Sequence, residues 1–194
     1  NNGDVWAKVA AAQALGALGE NATSEMSYLE QAMHDPEADV RKAAVTTLGA
    51  MAKHTGSALH NLATALKDDE PGVRVASLNA LSALRKLAAP VSEQIFPCIT
   101  DKDWTVRQAA VKAIVNLAEH ANVSTPVLKA ALKHENEDVR LRSAEALGEL
   151  GEFEASAVTD LTEALKKDSF LKVRQAAAEA LGRMISSQAL GAVD

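Results

Sequence analysis

Cysteine, aromatic residues and long apolar runs are scarce in this chain of 194 residues, and each scarcity excludes a class of protein. Cys98 is the one cysteine, which excludes an internal disulfide and a cluster of thiolate metal ligands. Aromatic residues make up 3% of the chain and hydrophobic residues 47%, so the core must consist mainly of alanine, leucine and valine. No apolar run approaches the roughly 20 residues of a membrane-spanning helix. We therefore predict an intracellular protein that has no membrane partner.

Concentrated positive charge is also missing. The formal net charge is −6, and no run of basic residues is longer than a pair such as Arg85-Lys86 or Lys166-Lys167. Binding to nucleic acid requires a positive face that neutralises several phosphates. We therefore expect no nucleic-acid partner.

What the sequence does contain is a repeated segment built on a basic residue. The segment carries an arginine in each copy except the first, which is degenerate and has Lys8. The basic residues stand at 8, 41, 74, 107, 140 and 174, in steps of 33, 33, 33, 33 and 34 residues. So regular a period indicates a stacked repeat array. Positions in each copy are counted below from this basic residue.

Each copy resembles a HEAT repeat of the short, regular kind, similar to the repeats of phycobilin lyases, and the resemblance covers essentially the whole chain. The motif that carries it is the second-helix pattern Val-Arg-x-Ala-Ala-x-x-Ala-Leu-Gly, which residues 173–182 match throughout. The resemblance implies an all-α, right-handed superhelical solenoid of about five and a half repeats, forming one domain over residues 1–194. Because both ends fall on a second-type helix, we expect a fragment of a longer array.

Periodicity predicts which positions of each second helix form the core. Positions −1, +2, +3, +6, +7 and +10 fall on one side of a helix that turns 100° per residue. One of these positions holds Arg142, which we expect to pair with a carboxylate, the alternative being a functional role. Cys98 is expected to be a small core residue. Pro97 should kink or end the first helix expected near residues 92–100, because proline has no N–H to donate. The second helix before it is expected to span about 73–88.

The arginine of each copy admits two interpretations. A row of arginines can bind anions, whereas arginine–carboxylate pairs between successive turns can fix how one repeat sits on the next. We favour the pairs, because the adjoining turns contain acidic residues. These are Asp35, Asp39, Glu70, Asp103 and Asp138.

Positions +1, +5, +8 and +12 lie opposite the core, and the HEAT resemblance places them on the inner, concave wall of the array. The middle of this wall is basic and its C-terminal part is acidic. A partner segment in the groove would set acidic residues against the lysines and apolar residues near Val75 and Val115. The residues predicted to contact a partner are Lys42, Lys53, Val75, Asn79, Lys86, Lys112, Val115, Leu141 and Glu145.

Two of these predictions have open alternatives. The wall can be an ordinary solvated helix face rather than a binding groove. Trp104, which precedes a second helix, either contacts a partner at the rim of the groove or covers a junction between repeats.

Motifs of catalysis and cofactor binding are missing from the sequence. It has no glycine-rich phosphate loop and no Gly-x-Ser-x-Gly, and none of the second-helix starts has a His-Glu pair. We therefore predict no enzymatic activity, no cofactor and no metal. The predicted function is a protein-interaction scaffold, monomeric within this segment, that binds another protein along the groove. The alternatives are a non-catalytic HEAT-repeat portion of an enzyme or lyase complex, and a structural spacer without its own ligand.

Overall fold

The computed structural model describes residues 2–18, 26–52, 57–118, 124–151 and 155–191, and within these ranges it consists of helices and turns. Helices of two types alternate along the chain. The first-type helices are α2 (Met26–Ala32), α4 (Ser57–Ala65), α7 (Ser124–Ala131) and α9 (Ala155–Lys167). The second-type helices, which carry the repeated motif, are α1 (Asn2–Leu18), α3 (Ala38–Met51), α5 (Pro71–Leu84), α6 (Trp104–Ala118), α8 (Glu137–Leu150) and α10 (Leu171–Gly191).

The second-type helices form a row in which each packs on the next, from α1 to α10, and the first-type helices pack against this row. The array is the all-α, right-handed solenoid that the repeat predicted. Because each repeat contacts mainly its neighbours, stability is nearly a sum over repeats and junctions. None of the described helices is long and apolar enough to cross a membrane.

Most core positions predicted from the periodicity are buried from α3 onward, whereas in α1 they are largely exposed, as at Leu18. In α3 the core positions are Val40, Ala43, Ala44, Thr47, Leu48 and Met51, each at most 8% exposed. Position +4 is buried as well, as at Val45, Leu78 and Val111, although the periodicity did not assign it to the core. It lies one helical turn from position +8, where the next second-type helix comes close.

Small residues at position +8 set the distance between second-type helices. A Cβ added to Gly148 would lie 2.7 Å from Ala180 Cα and 2.9 Å from Ala180 Cβ, and one added to Gly49 would overlap Ala80 Cβ. Glycine at these two positions therefore lets one backbone approach the next more closely than any larger residue permits.

The segment between α5 and α6 departs from the expected hairpin. α5 ends at Leu84 instead of near residue 88, and two 3-10 helices follow, Arg85–Gln94 and Phe96–Thr100. α5 ends where the backbone of Arg85 takes a positive φ of 48°, and Pro90 and Pro97, which lack the N–H that an α-helix requires, favour the 3-10 turns that follow. The segment still contributes buried side chains to the core, including Ile95 and Ile99.

The early end of α5 corrects one predicted contact residue. Lys86 was assigned to the concave wall as position +12 of a helix reaching about residue 88. It lies instead in the first 3-10 helix, where the α-helical spacing no longer applies. Its side chain is exposed, but the reason for placing it on the wall is gone.

Two predictions about polar residues near the core agree with the structure. Arg142 Nη1 donates to Glu145 Oε2 at 2.9 Å, and its Nε lies 3.5 Å from Asp138 Oδ1, so it pairs with carboxylates. Cys98 is 6% exposed, and burial raises the pKa of its thiol to about 11.

We predict that Gly148→Ala lowers the free energy of unfolding by about 1–3 kcal/mol, because the added methyl must push α10 away from α8. Gly182→Ala is the matched control, since an added Cβ there meets nothing within 4 Å. The control should raise the free energy of unfolding by about 0.5–1 kcal/mol through helix propensity alone. Urea unfolding followed by circular dichroism measures both. Equal effects of the two substitutions would contradict the close approach.

Candidate functional site

In the first five copies the cation pairs with a carboxylate at the start of the next copy. Arg41 Nε and Nη2 donate to Asp68 Oδ2 and Oδ1 at 2.8 and 2.9 Å, and Arg41 Nη1 donates to the carbonyl oxygens of Asp35 and Pro36 in its own turn. The other pairs, with N–O distances of 2.7 or 2.8 Å, are Lys8–Asp35, Arg74–Asp101, Arg107–Asp138 and Arg140–Asp168. We call this row of pairs the ladder. Its cations already hold carboxylates, so the ladder does not form an anion-binding site.

The ladder uses partly different carboxylates from those predicted. Asp35 and Asp138 belong to it, whereas Asp39, Glu70 and Asp103 do not. In most copies the acceptor stands at position −6, as Asp35, Asp68, Asp101 and Asp168 do.

Position −6 is favoured because an aspartate there makes two kinds of contact at once. Asp68 Oδ1, for example, also accepts the backbone N–H of Glu70 at 2.9 Å and so closes its own turn. Asp103 instead accepts hydrogen bonds from Thr105, the next residue but one. Each ladder aspartate at position −6 therefore fixes a turn and a junction together.

One copy has histidine at position −6. His134 Nδ1 accepts the N–H of Asn136 at 3.1 Å, which preserves the turn. An imidazole ring has no carboxylate to offer Arg107, and that arginine pairs with Asp138 at position −2 instead. The junction is thus kept by a carboxylate from the first turn of α8.

Two clefts open on the side of the second-type helices that the predicted wall occupies. The α1/α3 cleft has a volume of about 580 Å³ and the α3/α5 cleft a volume of about 790 Å³. Lys42 and Thr46 line both clefts, so they stand on the ridge between them. The two clefts together form the candidate site.

The structure brings three of the predicted contact residues together. Lys42, Val75 and Asn79 line the α3/α5 cleft. The remaining described ones lie outside both clefts. These are Lys112 and Val115 on α6, Leu141 and Glu145 on α8, and Lys86 in the 3-10 segment. Lys53 lies outside the described residues.

The sequence analysis missed position −2 of each copy. Trp6 and Asp39 at this position line the α1/α3 cleft, and Gly72 and Thr105 line the α3/α5 cleft. Position −2 lies seven residues, two helical turns, before +5 and therefore shares its face. The spacing alone could have identified it. It was overlooked because the predicted wall was assembled only from positions that follow the basic residue, whereas α3, α5, α6, α8 and α10 all begin at position −3.

Lys42 has a different electrostatic environment from the ladder cations. It is exposed, and none of the described carboxylates forms an ion pair with it. The hydroxyl of Thr46 beside it donates to the Lys42 carbonyl oxygen at 2.8 Å. The ammonium of Lys42 is thus available to a ligand in either cleft.

Trp104 is 57% exposed and Trp6 is 73% exposed. A side chain that covers a junction would be largely buried, so the structure does not support that interpretation of Trp104. Trp104 is the first residue of α6 and does not line the α3/α5 cleft, although its neighbour Thr105 does.

A row of stacked helical hairpins with an open groove defines an α-solenoid. The family model for HEAT repeats matches residues 26–92 and 92–182. The chain therefore belongs to the HEAT-repeat family, as predicted. A search of curated proteins found no match.

Several solved structures share the fold. An engineered protein has a TM-score of 0.56 and 18% identity, over 90% of this chain and 84% of its own. The CpcE–CpcF complex of phycocyanin lyase from Nostoc sp. PCC7120 has a TM-score of 0.56 and 23% identity, over 75% of this chain and 99% of the matched lyase chain. A designed armadillo repeat protein in complex with the peptide (KR)4 has a TM-score of 0.55 and 15% identity, over 91% of each chain. At these identities the likeness concerns the fold.

We predict that Asp168→Asn lowers the free energy of unfolding at neutral pH by about 1–3 kcal/mol, because Arg140 loses a charged partner in a largely buried pair. The hydrogen bond from Arg140 holds the pKa of Asp168 below its ordinary value. An aspartate in the unfolded chain has a pKa of about 3.9. The stabilisation is therefore complete above about pH 4 and is lost as the pH falls through the folded pKa.

The difference between wild type and Asp168→Asn should accordingly shrink on acidification, as measured by urea unfolding at a series of pH values. Glu163→Gln is the control, since its pair with Lys167 is exposed. That substitution should change stability by less than about 0.5 kcal/mol. A difference between wild type and Asp168→Asn that persists at low pH would refute the assignment.

Proposed function

We propose that this chain is a protein-interaction scaffold that holds a segment of a partner protein along its concave groove and has no catalytic activity of its own. HEAT and armadillo solenoids generally serve as interaction scaffolds, and this chain has their fold. The proposal concerns which face binds and what chemistry it recognises.

The observation that carries the proposal is the position of Lys42 between two clefts. An exposed ammonium that none of the described carboxylates pairs with stands at the ridge, with apolar side chains such as Val75 and Val9 on either side. Lys112 on α6 is a second exposed lysine on the same predicted wall. Complementary charge on a partner would set its register and association rate.

Two of the similar structures are complexes, one with a second protein and one with a peptide, which supports a protein partner for this chain. The peptide (KR)4 is basic, and the positions of Lys42 and Lys112 on the wall are basic too. Charge repulsion argues against such a peptide here. We therefore propose a partner segment that is acidic near α3 and α6.

A second candidate function is a non-catalytic subunit of a lyase complex. The likeness to the phycocyanin lyase complex, which covers 99% of the lyase chain, favours it. In that case the groove would hold a chromophore-bearing protein. Visible absorbance of a chromophore that copurifies with the protein would support this candidate.

We predict that the double substitution Lys42→Glu and Lys112→Glu weakens partner binding at least about tenfold, because two attractive contacts become repulsive. The matched control is Lys67→Glu with Lys166→Glu. It makes the same charge change at exposed lysines near the ends of the first-type helices α4 and α9. Crosslinking with mass spectrometry in an extract of the native source identifies the partner and its contact points, and titration then gives the affinity.

Circular dichroism should show the same helical content in both double variants. Binding that is unchanged by Lys42→Glu with Lys112→Glu, or that falls equally in the control, would show that the partner uses another face. A chain that crosslinks to no partner would be a structural spacer.

A further inference from the structure

The α3/α5 cleft differs from the α1/α3 cleft in having no side chain at one of its position −2 residues. Gly72 and Thr105 take this position in the α3/α5 cleft, where the α1/α3 cleft has Trp6 and Asp39. We propose that the α3/α5 cleft is the specificity pocket of the groove, and that it binds an apolar side chain of a partner segment whose neighbouring carboxylate pairs with Lys42. This inference rests on the proposed function and names the partner's chemistry.

The lining of the cleft suits an apolar side chain. Val75, Ala76, Ala80 and Leu84 contribute to it, and the volume is about 790 Å³. Most of these side chains are small, so the surface is recessed between α3 and α5. Removal of an apolar side chain from water into such a recess is favourable by roughly 25 cal/mol per Å² of buried apolar area.

The polar groups at the cleft favour a negatively charged neighbour. Lys42 supplies an ammonium with three donors, and Asn79, also exposed, supplies an amide. Among the described residues neither side chain has a hydrogen-bond or ion-pair partner, whereas the Thr46 hydroxyl already donates to a backbone carbonyl. A carboxylate beside the apolar side chain would satisfy the ammonium at little desolvation cost, because Lys42 stays partly in water.

The α1/α3 cleft does not suit the same ligand. Glu37 and Asp39 line it, and neither has an ion-pair partner among the described residues. Trp6 also contributes a large side chain at position −2. An acidic segment would be repelled there, so the two clefts discriminate between ligands although they share Lys42.

Gly72 is the residue that keeps the α3/α5 cleft open. A Cβ added there would lie 3.9 Å from Lys42 Cδ and 4.0 Å from Glu70 Oε1, which is ordinary contact, so a side chain can begin at this position without displacing the backbone. The other copies have Trp6, Asp39, Thr105, Asp138 and Lys172 at this position. A phenylalanine at position 72 can therefore fill the pocket while the fold is retained.

The test uses a phage-displayed library of random short peptides selected on the immobilised protein. Each enriched peptide is synthesised together with a matched control peptide in which Asp or Glu is replaced by Asn or Gln. The affinities of both are measured by fluorescence anisotropy. We expect enriched peptides to carry an apolar residue beside Asp or Glu. Gly72→Phe and Lys42→Glu should each weaken their binding about tenfold or more, and so should the amide replacement. Gly182→Phe is the control. A Cβ added to Gly182 meets nothing within 4 Å, and this residue lies on α10, away from the α3/α5 cleft.

Two outcomes would overturn the inference. One is the enrichment of peptides that lack the acid, or that bind Gly72→Phe as tightly as they bind the wild type. The other is the absence of any enriched peptide. If Gly72→Phe leaves binding intact while Lys42→Glu with Lys112→Glu abolishes it, the pocket is refuted and the groove function stands. If neither change affects binding, both proposals fail.

Discussion

The structure depends on a pair formed by the cation of one copy and the carboxylate that closes the next turn. Arg41 shows how one side chain performs two tasks, because Nη1 holds the carbonyl oxygens of its own turn while Nε and Nη2 hold Asp68 of the following one. Asp68 in turn accepts the N–H of Glu70. Each turn is therefore formed and attached to its neighbour by the same few atoms. Partly buried pairs of this kind add little net free energy over apolar contacts, but losing one partner is costly, so they specify geometry.

The ladder persists where other parts of the repeat change. Between α5 and α6 two prolines replace a first-type α-helix by 3-10 turns, and yet Arg74 Nη2 still reaches Asp101 Oδ1 at 2.7 Å. At the next junction histidine takes the place of the usual aspartate, and Arg107 finds Asp138 two positions before the next arginine. The period of 33 residues is thus maintained by the turn and the second-type helix, while the first-type helix tolerates variation.

The 33-residue step predicted the repeat array, the second-helix motif carried the resemblance to HEAT repeats, and the helical period predicted most core positions of the second-type helices from α3 onward. Periodicity was not sufficient for contacts between copies. Asp68, Asp101 and Asp168 were missed because the partner of each lies far along the chain, as Arg41 lies 27 residues from Asp68, and spacing within one helix does not predict such a contact. Lys86 was misplaced because α5 ends at Leu84, where the backbone of Arg85 takes a positive φ that the helical spacing does not reveal. The cleft at Gly72 was missed because an absent side chain is visible only when its neighbours are in place.

The ladder also decides what remains for the groove. Lys8, Arg41, Arg74, Arg107 and Arg140 are all paired with carboxylates, so the regularly repeated positive charge is neutralised within the turns. On the acidic part of the wall Glu145 pairs with Arg142, which removes charge there as well. Lys42 is left as a charge that none of the described carboxylates neutralises, on the ridge of the two clefts. Because the repeat positions serve stability, selectivity must come from the positions at which the copies differ, and residue 72, the one glycine at position −2, is the clearest of these differences.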